Sequence, residues 1–219
     1  TALESVALPD SVTGIGRGVF KDCTGLTAVS LPAAAEGIQI SMFENCTSLQ
    51  RIDIPAGVEA IYARAFYGCS ALDEISIPSG IRQIDEYAFY GCTGLTSIRL
   101  SADNRTDIGP YAFRGCTGLT SVELPERVTL DDSAFSGCTG LDSIVVPAEA
   151  RVNGAFVFAG CTGLTSVTLA DGLSRIGENM FSACTSLTAV TIPDSVSGIG
   201  DNAFADCTSL SSAALPDVY

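Results

Sequence analysis

Nine cysteines, Cys23, Cys46, Cys69, Cys92, Cys116, Cys138, Cys161, Cys184 and Cys207, follow one another at intervals of 23, 23, 23, 24, 22, 23, 23 and 23 residues. Neither a disulfide framework nor a metal site requires equal spacing along a whole chain. A repeated structural unit does, and a period of this length belongs to solenoids, propellers and arrays. Other residues keep the same step. A phenylalanine stands three residues before every cysteine, from Phe20 to Phe204, and a leucine three residues after, from Leu26 to Leu210. Nine of the ten phenylalanines obey this rule, so the aromatic content belongs mainly to the repeat.

In one-letter form each unit reads LxxVxIPxxVxxIGxxAFxxC, closed by Thr or Ser and a small residue. The units begin at Leu3, Leu26, Leu49, Leu72, Leu95, Leu119, Leu141, Leu164 and Leu187, with a partial tenth from Leu210. Residues 1–219 therefore read as a single solenoid of nine repeats and part of a tenth. Pairs such as Ile52 with Ile54 and Ile75 with Ile77 alternate with polar residues, which predicts a short strand. Eight of the nine prolines, including Pro55, Pro78 and Pro216, follow that strand at one place and stop its pairing. A second apolar pair, for example Val12 with Ile15, predicts a second extended or turn segment on an opposite wall. The AFxxC stretch suits one turn of helix or 3₁₀ with Phe and Cys inward. One unit cannot enclose a core, but stacked units can, and 47% of the residues are apolar. At about 4.8 Å per coil, nine coils span roughly 45 Å.

Three units depart from the pattern. The fifth carries an extra residue within Ser101–Asp107 and lacks the turn proline, and the sixth is one residue short, so that Leu130 takes the inner position usually held by Ile. The seventh offers Ala150 and Asn153 in place of the second apolar pair and adds Phe156. The second wall is expected to lose regularity between about residues 101 and 156, with the Leu, Phe and Cys columns intact.

The L-x-x-V/I-x-L/I/V-P start and the AFxxC end resemble the leucine-rich repeat, and within it the BspA-like, treponemal-type bacterial subclass. The resemblance covers the whole chain. It implies a right-handed superhelix of parallel strands and short turns, used as a cell-surface or secreted binding and adhesion module for a protein or glycan, such as host matrix or another cell surface. Neither chain end carries a distinct polar cap, so the sequence reads as part of a longer array, with any signal or anchor elsewhere.

The charge balance narrows the partners. Twenty-five acidic residues against eleven basic ones give a formal net charge of −14, which disfavours nucleic acid and anionic membrane surfaces. There is no histidine, so Ser-His-Asp and Cys-His catalysis and His-ligated zinc are absent. Nine equivalent cysteines fit no pairing scheme and read as reduced thiols filling one core slot. Asp85 with Glu86 and Asp131 with Asp132 are adjacent acids of the kind usually solvated. No enzyme, cofactor or metal is expected.

Two groups of residues are candidates for binding. On the outward positions of the first strand, expected on the concave face, the middle coils carry Arg51, Asp53, Glu74, Arg99 and Glu123. The column arrangement sets Arg51 beside Glu74 and Arg99 beside Glu123, which reads either as self-neutralising ladders or as a polar recognition patch. The second group is aromatic. Tyr62, Tyr67, Tyr87, Tyr90 and Tyr111 are confined to units three to five, with Tyr67 and Tyr90 in one register and Tyr87 and Tyr111 in another. They read either as an exposed interface and sugar-stacking platform or as half-buried packing. Lys21, Glu44 and Arg114 share the register of Tyr67, which predicts that it faces solvent. The alternative to a binding module is a spacer, or a filament built by end-to-end self-association. Asn45-Cys46-Thr47 and Asn104-Arg105-Thr106 match the N-glycosylation triplet, which matters only in a eukaryotic secretory host.

Overall fold

The computed structural model describes residues 3–101 and 105–214. Pro216 and, in the extra-residue segment of the fifth unit, residues 102–104 with Asn104 among them lie outside those ranges. Coils are numbered here by their cysteines, Cys23 marking coil 1. The described residues form eighteen short strands in two walls.

The first wall holds Ser5–Ala7, Ala28–Ser30, Arg51–Asp53, Glu74–Ser76, Ser97–Arg99, Ser121–Glu123, Ser143–Val146, Ser166–Leu169, Ala189–Thr191 and Ser212–Ala214. Each paired strand is parallel to its partner one coil away, as in Ile52 opposite Ile75. Side chains alternate between the two faces of a strand. The central apolar residue therefore enters the core while its two neighbours stay exposed, as in Arg51-Ile52-Asp53. The wall is hydrogen bonded in three runs, and the isolated middle pair, Ser97–Arg99 with Ser121–Glu123, spans the 24-residue interval.

The second wall is a real sheet: Gly37–Ile38, Ala60–Ile61, Gln83–Ile84, Thr106–Ile108, Val128–Leu130 and Arg151–Val152 run in one parallel ladder, and Arg175–Ile176 pairs with Gly198–Ile199. The irregularity expected between residues 101 and 156 is confined to coil 7, where a bulge follows Arg151–Val152 and the six-strand ladder ends. The wall's three-residue strands, Thr106–Ile108 and Val128–Leu130, lie inside that stretch. Thr106, only 1% exposed, fills the inner slot and donates its hydroxyl to the Ile81 carbonyl at 3.3 Å. Leu130 stands opposite Ile108, as expected. In coil 7 the inward residue is Val152, not Asn153, because Val152 pairs in register with Leu130. The N–H groups of Asn153 and Gly154 both donate to the Leu130 carbonyl, at 3.0 and 3.1 Å, so one residue is bulged out. Gly154 is needed there, since a Cβ would lie 2.1 Å from the Asp131 carbonyl carbon.

The Phe-to-Cys segment closes each coil with successive turns and no continuous helix among the described residues. Bonds of the 3₁₀ kind occur, such as Cys23 N–H to the Phe20 carbonyl at 3.1 Å, but every second N–H donates instead to the next coil, as Phe20 N–H does to the Met42 carbonyl. Two left-handed residues per coil allow this, one just before the cysteine and one five before it, for example Asp22 and Gly18.

Phenylalanines of adjacent coils stack in one continuous column from Phe20 to Phe204, with neighbouring centroids 4.9–5.6 Å apart. The cysteines form a parallel column. Each thiol from Cys46 onward donates to the phenylalanine carbonyl of the preceding coil, as Cys92 does to Phe66 at 3.1 Å. Seven thiols are buried, Cys23 and Cys207 are partly exposed, and all nine are free. Burial pushes the Cys116 thiol up to about 12, and it raises the other buried thiols likewise, so none supplies a thiolate near neutral pH. A thiol reagent without denaturant is expected to label Cys23 and Cys207 within minutes and the buried seven only on unfolding. Fast reaction of several more would contradict the packing.

Candidate tyrosine surface

The position five residues before each cysteine has a backbone dictated from both sides. Its N–H donates to the next coil and its C=O accepts from the residue three further on, as in Tyr87 N–H to the Pro110 carbonyl at 3.0 Å and Tyr90 N–H to the Tyr87 carbonyl at 3.2 Å. This holds the residue left-handed, with φ between 50° and 62° in every coil. Glycine and asparagine tolerate such a backbone, whereas bulky side chains are strained by about 1 to 3 kcal/mol. Gly18, Ser41, Ser133, Asn179 and Asn202 occupy it elsewhere, but Arg64, Tyr87, Tyr111 and Phe156 occupy it in coils 3, 4, 5 and 7.

Three of those side chains assemble with two more tyrosines. Tyr87 stacks on Tyr111 and Tyr67 on Tyr90, each pair with centroids 4.9 Å apart, and Tyr87 touches Tyr67 and Tyr90 in tilted contacts at 6.4 and 5.7 Å. The Arg64 guanidinium lies over Tyr67 at 5.1 Å and Tyr87 at 5.3 Å, and that of Arg114 over Tyr111 at 5.6 Å. Glu44 continues the row, 3.1 Å from Lys21 and 3.7 Å from Arg64. Burial opposes ionisation of Glu44, but the Ser41 hydroxyl, Lys21 and Arg64 outweigh it and hold the carboxyl below its ordinary range.

The register containing Tyr67 and Tyr90 is not the open position that its polar occupants suggested. All four rings are half-buried and Glu44 is buried, because the left-handed residue of the same coil packs beside it. Tyr62 belongs elsewhere: its ring lies where a side chain on Gly37 would point, in a cleft with Glu36, Glu59 and Arg82. Arg64 is the member that sequence reasoning missed. Its signal was available, since it shares a column with Gly18, Asn179 and Asn202.

The charged group lies on the first wall. Arg51 stands opposite Glu74, and Arg99 opposite Glu123 with a 2.7 Å ion pair; Arg51, Asp53, Glu74, Arg99 and Glu123 are all exposed. The Arg99–Glu123 side chains are 78% and 60% exposed, so this pair is worth at most about 1 kcal/mol. No hydrogen bond, ion pair or ring contact among the described residues joins this group to the tyrosines. Among the described residues no cluster of potential ligands could hold a metal, and no helix is long and apolar enough to cross a membrane.

This pattern of coils places the chain among the leucine-rich repeat proteins. The model of the BspA type leucine rich repeat region matches residues 1–116 and 101–211, and the chain belongs to that family. Its members are typically surface-associated and commonly mediate binding or adhesion, generally without catalysis. A leucine-rich repeat protein from Bacteroides ovatus is similar at 26% identity and TM-score 0.61, over 98% of this chain and 81% of that one. The T. pallidum leucine-rich repeat protein is similar at 25% identity and TM-score 0.59, over 96% and 79%. One from Eubacterium ventriosum shares the fold at 24% identity and TM-score 0.69, over 100% and 61%. No curated protein matches the chain in sequence.

Proposed function

We propose that this chain is a non-enzymatic cell-surface or secreted adhesion module, its residues 1–219 acting as one solenoid. It recognises a protein through Tyr67, Tyr87, Tyr90 and Tyr111. The observation that carries the reading is the placing of Tyr87 and Tyr111 in left-handed backbone, where the fold itself favours glycine or asparagine. Aromatic side chains kept against local preference at a half-open surface are characteristic of recognition sites.

The stacking favours a protein over a glycan. Sugars dock on open ring faces, whereas here each ring gives one face to its stacking partner and Arg64 and Arg114 lie over others. Ring edges and hydroxyls remain for a partner, and among the described residues none of the four hydroxyls is hydrogen bonded within the chain. Beads coated with the protein are expected to be retained on intact cells or immobilised matrix proteins. The paired substitutions Tyr67→Ala and Tyr90→Ala are expected to lower retention at least tenfold, and retention unchanged by that pair would refute the reading.

A further inference from the structure

Phe156 is the one phenylalanine outside the stacked column, and it occupies the same left-handed position as Tyr87 and Tyr111, with φ 60°. Its backbone is locked in the same way: its N–H donates to the Glu178 carbonyl at 2.9 Å and its C=O accepts from Ala159 N–H at 3.1 Å. Tyr87 and Tyr111 recover some strain by stacking on each other. Phe156 makes no ring contact among the described residues, lies outside the core cluster and is 44% exposed. A bulky apolar side chain is thus held in unfavourable backbone with nearly half its surface in water and no ring beside it among the described residues.

The intervening coil supplies Ser133, which is 7% exposed and too small to continue the row of rings. The row of rings is therefore broken for one coil between Tyr111 and Phe156, where Ser133 is buried and the Arg114 guanidinium lies over Tyr111. Acidic residues border the strip. The position just before the left-handed residue holds Glu86, Asp132, Glu178 and Asp201 in coils 4, 6, 8 and 9, all exposed.

We propose that Phe156 is a further anchor of the tyrosine surface, and that the strip from Arg64 to Phe156 takes a basic protein segment. An apolar side chain of that segment packs on the exposed ring of Phe156 while its lysines or arginines face Glu86, Asp132 and Glu178. This rests on the protein-binding reading above and adds to it the extent of the surface and the charge of the partner. Charge complementarity selects the basic partner, because Glu86, Asp132 and Glu178 are exposed beside the strip on a chain of net charge −14.

Phe156→Asn tests the inference twice. Asparagine tolerates left-handed backbone, so the variant is expected to keep or raise the urea midpoint of unfolding, and a lowered midpoint overturns the proposal by assigning Phe156 to the fold. Binding is measured with a twelve-residue peptide of alternating lysine and leucine, and with its glutamate–leucine counterpart. The lysine peptide is expected to bind the parent protein, to lose at least fivefold in affinity on Phe156→Asn, and to be unaffected by Val145→Thr, which alters an exposed valine on the first wall. The glutamate peptide is expected not to bind. Failure of the lysine peptide to bind, equal binding of the two peptides, or equal loss from both variants overturns the proposal. If Tyr67→Ala with Tyr90→Ala weakens the lysine peptide and Phe156→Asn does not, the tyrosine surface stands and its extension falls; if neither does, both fall.

Discussion

Raising the pH from 8 to 11 is expected to unfold the protein over a narrow interval, centred between about pH 9 and 10. The cause is the cysteine column. Burial raises the pKa of all seven buried thiols, to about 12 for Cys46 and Cys116, whereas a thiol in an unfolded chain titrates near 8.5. Raised folded values mean that the folded chain holds protons the unfolded chain has released. The stability they contribute is complete below about pH 8.5 and falls as the pH climbs toward the folded values. Each thiol changes stability by about 1.4 kcal/mol per pH unit in that window. Seven acting together give about 10 kcal/mol per unit, comparable with the whole stability of an ordinary domain, about 5 to 15 kcal/mol. Circular dichroism against pH measures it. Replacing Cys92, Cys116, Cys138 and Cys161 with alanine should reduce the steepness by more than half, and a signal flat from pH 8 to 11 in the parent protein contradicts the account.

Phe113→Ala is expected to destabilise the array by about 3 to 5 kcal/mol and to divide its unfolding into two transitions. The first part follows from size, since Phe113 is fully buried and its removal leaves a cavity that the flanking backbone ladders cannot close. The second follows from the one-dimensional architecture. Each coil contacts mainly its neighbours, and Phe113 stacks on Phe89 at 5.0 Å and on Phe135 at 4.9 Å. Weakening both interfaces near the middle uncouples the N-terminal from the C-terminal coils. The first wall is already interrupted between Glu74–Ser76 and Ser97–Arg99, and again after Ser121–Glu123. Urea unfolding followed by circular dichroism and by tyrosine fluorescence separates the halves, because five of the six tyrosines lie in coils 3 to 5. Coincident transitions at an unchanged midpoint would count against this account.

The columns were legible in the sequence because a period acts many times over. One cysteine spacing is an accident, whereas nine with matched Phe and Leu leave a single architecture. Local exceptions were harder to place. The repeat spacing points to Asn153 as the inward residue of coil 7, but a bulge shifts the register by one and brings Val152 inward. Thr106 keeps the second wall regular because its buried hydroxyl finds the Ile81 carbonyl, which composition alone does not show. The tyrosine registers were legible too, while their depth was not. Tyr67 and Tyr90 share a column with Lys21 and Arg114, yet Tyr87 packs against both and half-buries them. Arg64 was invisible as a charge but not as a conformation, for the glycine and asparagines in its column mark the left-handed backbone beforehand.

The central claim is that the coils are scaffold and the tyrosines are what the scaffold presents. Retention of protein-coated beads on a cell or matrix surface, parent against the Tyr67→Ala and Tyr90→Ala variant at matched secondary structure, tests it most directly. A loss of at least tenfold with the coils intact is the predicted result, and equal retention by the two proteins contradicts the claim.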